Sequence, residues 1–402
     1  MNAEGRGGGA LQGVRVIEVC QVMAGPFCGC LLADMGADVI KIENPKGGDT
    51  ARTLGRHFAG GEGHGFMNLN RNKRSAAIDY KNEEGRALLR ELAAGADAFI
   101  ENIRPGALEK MGLGYEDLRR VNPALIYASI SGYGATGPFK DKGGFDLVSQ
   151  GFSSLMSFTG EEGGPPVKIP VPLCDLNAGL YTAYSILAAY IHRQRTGEGQ
   201  RIDTSLTDAG LGYTFWHASQ FFPSGEPPVP RGSAHEMTAP YQAIRCRDGY
   251  ITLGAADTRN WERLCKAIGR EELLEREEYE SNGTRCENYK QLAAELEEVF
   301  GERDRAEWIE ILEAARIPCG PIHDMAEAFA HPQIQAREMV VEVDHPTAGR
   351  IKVLGFPPKL SGTPGGVWRA APLLGEHTDE VLGELGKSAE EIRRLRNAGA
   401  VG

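Results

Sequence analysis

Apolar and polar positions near the start of the chain predict a strand, a helix and a second strand. Residues 14–19 (VRVIEV) and 38–42 (DVIKI) are short runs rich in β-branched residues, and residues 26–35 between them have helical character. The whole unit takes about 30 residues, which is the length of a βαβ crossover. We therefore expect the chain to begin with a βαβ unit.

The alternation of strands and helices continues through the first half of the chain. Residues 83–94 place Leu88, Leu89 and Leu92 on one stripe of an amphipathic helix. Further segments follow in the same manner, with strands at 98–101, 125–129 and 200–205 and helical stretches at 109–120 and 177–193. Strands that alternate with helices form a parallel sheet covered on both faces. The pattern predicts an α/β fold.

The composition changes at residues 221–231 (FFPSGEPPVPR), where Pro and Gly predict a linker. Beyond it, one strand and three Glu-, Arg- and Leu-rich helices predict a smaller α+β unit that ends near 318–321. Two strands and a helix follow, at 340–343, 351–354 and 378–396. The predicted division is a disordered tail (1–10), a large domain (11–220), a linker (221–235), a small domain (236–325) and a C-terminal segment (326–402).

The net charge of the 402-residue chain is −11, which disfavours nucleic acid and anionic membranes as main partners because both need a basic face. The longest apolar run, residues 178–191, is shorter than the ~20 residues of a membrane span. Residues 1–10 lack the apolar core of a signal peptide. The eight cysteines are scattered, as is typical of reduced thiols in a cytosolic enzyme. We expect a cytoplasmic protein.

Two motifs suggest chemistry that their surroundings disfavour. Residues 132–137 (GYGATG) match a dinucleotide fingerprint, but that fingerprint needs a helix to open at the turn. Pro138 and the loop residues 140–144 follow instead, which leaves the glycines free for close backbone approach to another ligand. Cys28 and Cys30 form a lone C-x-C pair without a second pair nearby, so we assign no metal site.

A tight cluster of cations, residues 70–75 (NRNKRS), precedes a strand in this acidic protein, and Arg104 and Lys110 follow further along the chain. Such a cluster is a candidate phosphate clamp, because guanidinium and ammonium groups bind phosphate oxygens well. Charge alone favours a solvated loop. Both interpretations stay open on the residues alone.

Asp175 lies immediately before the most apolar helix of the chain. Aspartate is a good N-cap, so a purely structural role is one interpretation. The other is a nucleophile, since the helix dipole favours the ionised carboxylate and an ionised carboxylate can attack a carbonyl. The two are compatible. The histidines are dispersed, and none is assigned as a base.

Segments spread along nearly the whole chain resemble family III CoA-transferases, the group that contains formyl-CoA:oxalate and crotonobetainyl-CoA:carnitine CoA-transferases. The matching segments are 24–26, 32–43, 72–74, 102–108, 144–146, Asp175 with its helix, 239–241, 317–321 and 372–378.

The resemblance implies a Rossmann-like large domain, a smaller α+β domain, and a C-terminal segment that returns to complete the large domain. Two such ring-shaped chains are interlinked as a homodimer. The family's nucleophile matches Asp175, and CoA is held between the domains. The segments implied in CoA binding match Met23, Ala24, Asn72, Lys73, Arg74, Asn102, Ile103 and Lys110. The cation cluster thereby gains a role in binding CoA phosphates, with no prosthetic group or metal required.

Three departures from the family pattern bear on specificity. Met23 replaces a glutamine of the oxalate enzymes and Asn44 replaces an arginine, so oxalate is disfavoured as acceptor. Their tetraglycine loop is absent, and residues 232–237 contain one glycine. The related α-methylacyl-CoA racemases have a histidine where Phe145 stands here, and a phenyl ring cannot take a proton.

The sequence therefore predicts an enzyme that moves CoA from an acyl-CoA to a free carboxylic acid. Asp175 would form an anhydride and then an aspartyl-CoA thioester, in a site that excludes water. Backbone amides of residues 232–235 are the predicted stabilisers of the oxyanions. The alternative is an acyl-CoA racemase of the same superfamily.

Overall fold

The computed structural model describes residues 9–402, which form two compact units. The first unit contains the described residues up to Leu155, together with Ile169–Ser219 and Pro332–Gly402. The second contains Met156–Lys168 and Gln220–His331. The chain thus leaves the first unit twice and returns to it for its last 71 residues.

The secondary structure of residues 9–402 alternates strands and helices through the first unit. The strands are β1 (Arg15–Val19), β2 (Asp38–Glu43), β3 (Phe58–Ala59), β4 (Glu62–Gly63), β5 (Arg74–Ala77), β6 (Ala98–Glu101), β7 (Ile126–Ser131), β8 (Arg201–Ser205), β9 (Tyr241–Cys246), β10 (Gly249–Gly254), β11 (Cys319–Pro321), β12 (Val340–His345) and β13 (Gly349–Leu354).

The α-helices are α1 (Ala24–Asp34), α2 (His64–Leu69), α3 (Glu83–Ala94), α4 (Ala107–Lys110), α5 (Tyr115–Val121), α6 (Asp146–Phe152), α7 (Leu173–Thr196), α8 (Leu206–Gly212), α9 (Phe215–Ser224), α10 (Thr258–Ala267), α11 (Asn282–Glu287), α12 (Tyr289–Phe300), α13 (Arg305–Ala314), α14 (Met325–Ala330), α15 (Pro332–Ala336), α16 (Thr378–Glu384) and α17 (Ala389–Asn397). Short 3₁₀ helices span Thr50–Thr53, Leu155–Ser157, Glu271–Glu275 and Glu277–Tyr279. Within residues 9–402, no helix has both the length and the apolar character to cross a bilayer.

The first unit is built on a six-stranded parallel sheet with the strand order β5-β2-β1-β6-β7-β8. The α/β fold with a parallel central sheet is therefore confirmed. The chain runs outward from β1 to β5 and then from β6 to β8 on the other side. The carboxyl ends of β1 and β6 consequently flank the point where the strand order reverses, which is where open α/β sheets bind ligands.

The C-terminal helices complete the core of the first unit. Val381 and Leu382 of α16 and Ile392 of α17 belong to the same buried apolar cluster as Ile17 and Leu89. Backbone contacts extend the join, because the Asp79 amide donates to the Ala400 carbonyl at 2.9 Å. Burying these side chains removes the last segment from water and anchors it to the sheet.

A buried ion-pair network crosses the centre of the sheet. Glu18 of β1 accepts from Lys41 of β2 at 3.0 Å. Its other carboxylate oxygen forms an ion pair with Lys73, which precedes β5, at 2.8 Å, and all three side chains are fully buried. Gly29 of α1 makes room for the carboxylate, since a Cβ there would lie 1.9 Å from Glu18 Oε2. Three strands are thereby tied together by charges that water cannot reach.

The second unit has its own core. Strands β9 and β11 pair with β10 in an antiparallel sheet. Helices α10, α12 and α13 contribute to a buried cluster that includes Trp261, Tyr279, Phe300 and Trp308. Ring contacts such as that of Phe300 with Trp308, whose centroids are 4.6 Å apart, reinforce the packing.

Several boundaries differ from the sequence-based ones. The segment 156–168, assigned to the large domain, groups with the second unit. Helix α9 runs through Ser224 with Pro223 in its last turn, so the linker predicted at 221–235 starts inside a helix. The predicted disordered tail over 1–10 lies outside the described residues except at its end, where Gly9 is buried and its carbonyl accepts from the Gln12 amide at 3.2 Å.

We expect Glu18→Gln to destabilise the first unit strongly. The change leaves the buried Lys73 ammonium without its carboxylate, and breaking a buried pair in this way typically costs about 3–5 kcal/mol. Urea unfolding followed by circular dichroism measures the loss. The control is Glu84→Gln, which removes an exposed pair with Arg394 and should cost less than ~1 kcal/mol. Equal effects of the two changes would contradict the central role of the network.

Candidate active site

A cavity of about 720 Å³ opens in the first unit at the carboxyl ends of its central strands. Its walls are residues 21–24 after β1, 102–105 after β6, 130–132 at the end of β7 and the loop 143–145. Asp175, in the first turn of α7, also lines it. The sheet therefore gathers loops that are far apart in sequence around one carboxylate.

Asp175 is the third residue of α7, and the capping bond at this helix end is made by another residue. Asp146 Oδ1 accepts from the Cys174 amide at 3.0 Å, while its Oδ2 accepts from Gln150 at 2.7 Å. The N-cap interpretation of Asp175 is therefore wrong, because Pro172 occupies that position. Asp175 instead adds a half-buried carboxylate where the helix dipole favours an anion.

Four of the residues implied in CoA binding lie together in the cavity wall: Met23, Ala24, Asn102 and Ile103. The Asn102 side chain joins their two segments, since its Oδ1 accepts from the Gln21 amide and its Nδ2 donates to the Gln21 carbonyl, both at 2.8 Å. Glu101 Oε2 in turn accepts from the Ile103 amide at 2.8 Å, and burial raises the pKa of Glu101 to about 7.

The phosphate clamp predicted at Asn72, Lys73 and Arg74 needs correction. Lys73 is fully buried and contacts Glu18, while Arg74 is 3% exposed and binds Asp38 at 2.6 Å. The Asn72 amide group donates to Asp34 at 2.8 Å and accepts from backbone amides of 368 and 369. These three side chains bind partners within the first unit, and none of them lines the cavity.

Other cations supply positive charge to the cavity. Lys110, the last residue of α4, is exposed and lies outside the wall, whereas Lys81 and Arg104 are exposed and line it. Reasoning from the sequence grouped Arg104 with the cation cluster at 70–75 and did not assign Lys81. Their shared signal is position, since each follows shortly after the carboxyl end of a parallel strand, β5 or β6.

The glycines of residues 132–137 serve a loop. No helix opens at this turn, and the Ala135 amide donates to Asp203 at 2.9 Å. Gly132 packs against Gly144 so closely that a Cβ on Gly132 would lie 2.5 Å from the Gly144 Cα. Both glycines line the cavity, so the close backbone approach shapes its wall.

The oxyanion loop predicted at 232–235 needs correction as well. The Gly232 amide donates to the Gly160 carbonyl at 2.8 Å, and the His235 amide donates to the Tyr241 carbonyl at 3.0 Å. The Ala234 amide donates to the Arg231 carbonyl at 3.0 Å. Three of the four amides therefore already hold the second unit together.

Cys28 and Cys30 are free, buried thiols of α1. Burial raises the pKa of Cys30 to about 12, so this thiol stays protonated. Among residues 9–402, no three or more His, Cys, Asp or Glu side chains are grouped to hold a metal ion.

Comparison with known proteins agrees with this geometry. The model of CoA-transferase family III matches residues 11–378. The succinyl-CoA:glutarate CoA-transferase of Homo sapiens is 39% identical over 392 residues, 97% of this chain and 90% of that protein. The succinyl-CoA:mesaconate CoA-transferase of Haloarcula marismortui is 39% identical over 390 residues, with 94% and 97% covered.

A solved structure shows the same likeness in three dimensions. The crystal structure of a CAIB/BAIF family protein from Brucella suis matches with a TM-score of 0.84 and 38% identity. The match covers 94% of this chain and all of that one. The resemblance seen in the sequence is confirmed, and the chain belongs to CoA-transferase family III.

Proposed function

We propose that this CoA-transferase acts by covalent catalysis at Asp175. The observation that carries the proposal is the position of this carboxylate in the first turn of α7, lining the cavity at the carboxyl ends of the central strands. Asp175 is the sole acid among the residues of that wall, all of which lie in the described part of the chain. A half-buried carboxylate in such a setting can act as a nucleophile.

The reaction then needs no net proton transfer. An Asp175 oxygen attacks the thioester carbonyl, the C–S bond breaks, and an aspartyl-acyl anhydride and CoA thiolate form. The thiolate attacks the Asp175 carbonyl, which releases the donor acid and leaves an aspartyl-CoA thioester. The acceptor carboxylate attacks this thioester to give a new anhydride, and the returning thiolate forms the product acyl-CoA and frees Asp175. Exclusion of water preserves the reactive intermediates.

We propose succinyl-CoA as donor and a small dicarboxylic acid as acceptor. Relatives of nearly the same length are named for succinyl-CoA with glutarate and with mesaconate, which are dicarboxylates. Lys81 and Arg104 in the cavity wall make the local charge positive although the protein as a whole is acidic. A positive cleft raises the local concentration of anionic substrates, including CoA and dicarboxylates.

Phe145 disfavours the racemase alternative. Its ring is 78% exposed and lines the same cavity as Asp175, at the position where the related racemases have a histidine. Racemisation needs a group that takes a proton from the α-carbon, and a phenyl ring has no such atom.

We further propose a cytoplasmic homodimer with interlinked chains, in which the last segment completes the large domain. Exposed apolar surface supports the dimer: α9 buries none of its residues and presents Phe215, Trp216 and Phe222 to solvent. Patches of this kind mark protein interfaces. The free state of all eight cysteines supports the reducing compartment.

We expect Asp175→Asn to abolish CoA transfer. With succinyl-CoA and a panel of dicarboxylic acids, mass spectrometry should detect new acyl-CoA with wild type and at least about 10⁴-fold less with the variant, as when a nucleophile is removed. The fold should persist because Asp146 makes the helix cap. The matched control is Asp117→Asn, which changes the first turn of α5 outside the cavity and should keep full activity. A variant that retained a tenth of the activity would exclude covalent catalysis at Asp175.

Enzyme incubated with acyl-CoA alone should carry CoA on Asp175. Intact-protein mass spectrometry should show the added mass, and peptide mapping should place it within residues 171–177, because the thioester outlives the more reactive anhydride. Hydroxylamine should inactivate the enzyme that carries this thioester, and it should not inactivate enzyme that was never incubated with acyl-CoA. The Asp175→Asn protein is the control and should remain unlabelled. Active wild-type enzyme that formed no adduct and resisted hydroxylamine would favour proton-transfer chemistry instead.

The dimer should be obligate, with an interface above ~2,000 Å². Light scattering at falling concentration should show no folded monomer, and the unfolding temperature should rise with protein concentration. Phe222→Asp in α9 should weaken the dimer, whereas Phe58→Asp, at an exposed aromatic of β3, should not. A folded, active monomer in dilute solution would refute the proposal.

A further inference from the structure

Three consecutive residues at the edge of the cavity are each fixed by a different polar side chain. The Cys20 carbonyl accepts from Lys41 Nζ at 2.9 Å. The Gln21 backbone makes two hydrogen bonds with Asn102. The Val22 amide donates to Asp49, at 3.0 Å from Oδ1 and 3.3 Å from Oδ2. So many hydrogen bonds to one short loop suggest that the backbone conformation of the loop would be unfavourable without them.

Val22 supplies the reason for this fixation. Its φ of 66° lies in the left-handed region, where a β-branched residue is a genuine outlier because its side chain crowds the backbone. Conformations of this kind persist only where the surroundings impose them, and they cluster at functional sites. The left-handed residue sits in the middle of the segment 21–24 that lines the cavity with Asp175.

Asp49 is suited to stabilise this conformation. It is 1% exposed, its Oδ2 lies 2.8 Å from Lys41 Nζ, and it caps the 3₁₀ helix Thr50–Thr53 by accepting from the Ala51 amide. Burial by itself raises the pKa of Asp49, but the Lys41 ammonium and the accepted hydrogen bonds bring it below its ordinary value. An ionised acceptor makes roughly twice as strong a hydrogen bond as a neutral one.

We propose that Asp49 is a positioning residue for CoA transfer: it holds Val22 in the left-handed conformation and thereby sets the wall formed by residues 21–24. Asp49 is not among the residues that line the main cavity, so its action passes through the Val22 amide. This inference deepens the proposed function. Of its two tests, only the kinetic one depends on that function.

A purely structural role for Asp49 makes a different prediction. If the carboxylate served only to neutralise Lys41, its removal would harm the enzyme equally whatever residue stood at position 22. If it serves to hold the left-handed backbone, glycine at position 22 should make it largely dispensable, because glycine adopts positive φ without steric cost. Alanine at position 22 shortens the side chain similarly but keeps the Cβ that disfavours positive φ, so it is the matched control.

The experiment is a set of mutant cycles on the full-length enzyme, with kcat/KM for CoA transfer and calorimetric CoA affinity as readouts. We expect Asp49→Ala to lower kcat/KM at least tenfold in the wild-type background and at least tenfold in Val22→Ala. In Val22→Gly the same change should lower it threefold or less. The affinity for CoA should follow the same order.

Equal losses in the three backgrounds would overturn the proposal. If Asp49→Ala does not yield folded protein, Asp49→Asn takes its place, since it keeps one acceptor oxygen with a weaker, neutral hydrogen bond. It should lower CoA affinity about threefold with Val22 or Ala at position 22 and leave it unchanged with Gly. A wild-type enzyme without transferase activity would refute the proposed function instead, while the affinity cycle would still decide the role of Asp49.

Discussion

Two ammonium groups with no access to water, Lys41 and Lys73, set the constraint on which the first unit depends. They share the carboxylate of Glu18, and Lys41 also pairs with Asp49. Burial by itself lowers the pKa of Lys41, but the surrounding carboxylates, Glu18 first among them, raise it above its ordinary value. Lys41 therefore keeps its charge in the core, and the ion pairs join β1 to β2 and to the residue that precedes β5.

The same network reaches the candidate active site. Lys41 binds the Cys20 carbonyl, and Asp49 binds the Val22 amide, so the interior charges end on the loop that forms one wall of the cavity. The loop lies where the strand order of the sheet reverses, beside the segment that follows β6. The Asn102 side chain joins the two segments through two hydrogen bonds with the Gln21 backbone. The buried ion pairs and the cavity wall are thus connected, and we expect a substitution in the ion-pair network to change the conformation of that wall.

Two roles that the sequence suggested for Asp175, helix capping and nucleophilic attack, belong to different residues at the start of α7. Asp146 satisfies the Cys174 amide from 28 positions upstream, which removes the capping role from Asp175. The nucleophile proposed here can then become an anhydride and a thioester and be regenerated while the Cys174 amide keeps its partner, Asp146. Phe145 lines the same cavity as Asp175 and gives its wall an apolar ring.

The sequence by itself determined what depends on neighbours along the chain. Periodic apolar positions predicted β1, α3 and β6 closely, and the family resemblance singled out Asp175. The tertiary structure alone decided which polar groups pair. Lys73 and Arg74 pair with carboxylates of the first unit, whereas Lys81 and Arg104 are exposed in the cavity wall. The Gly232 amide makes a hydrogen bond inside the second unit. A charge in a sequence carries no record of its partner, because the partner is brought near only by folding.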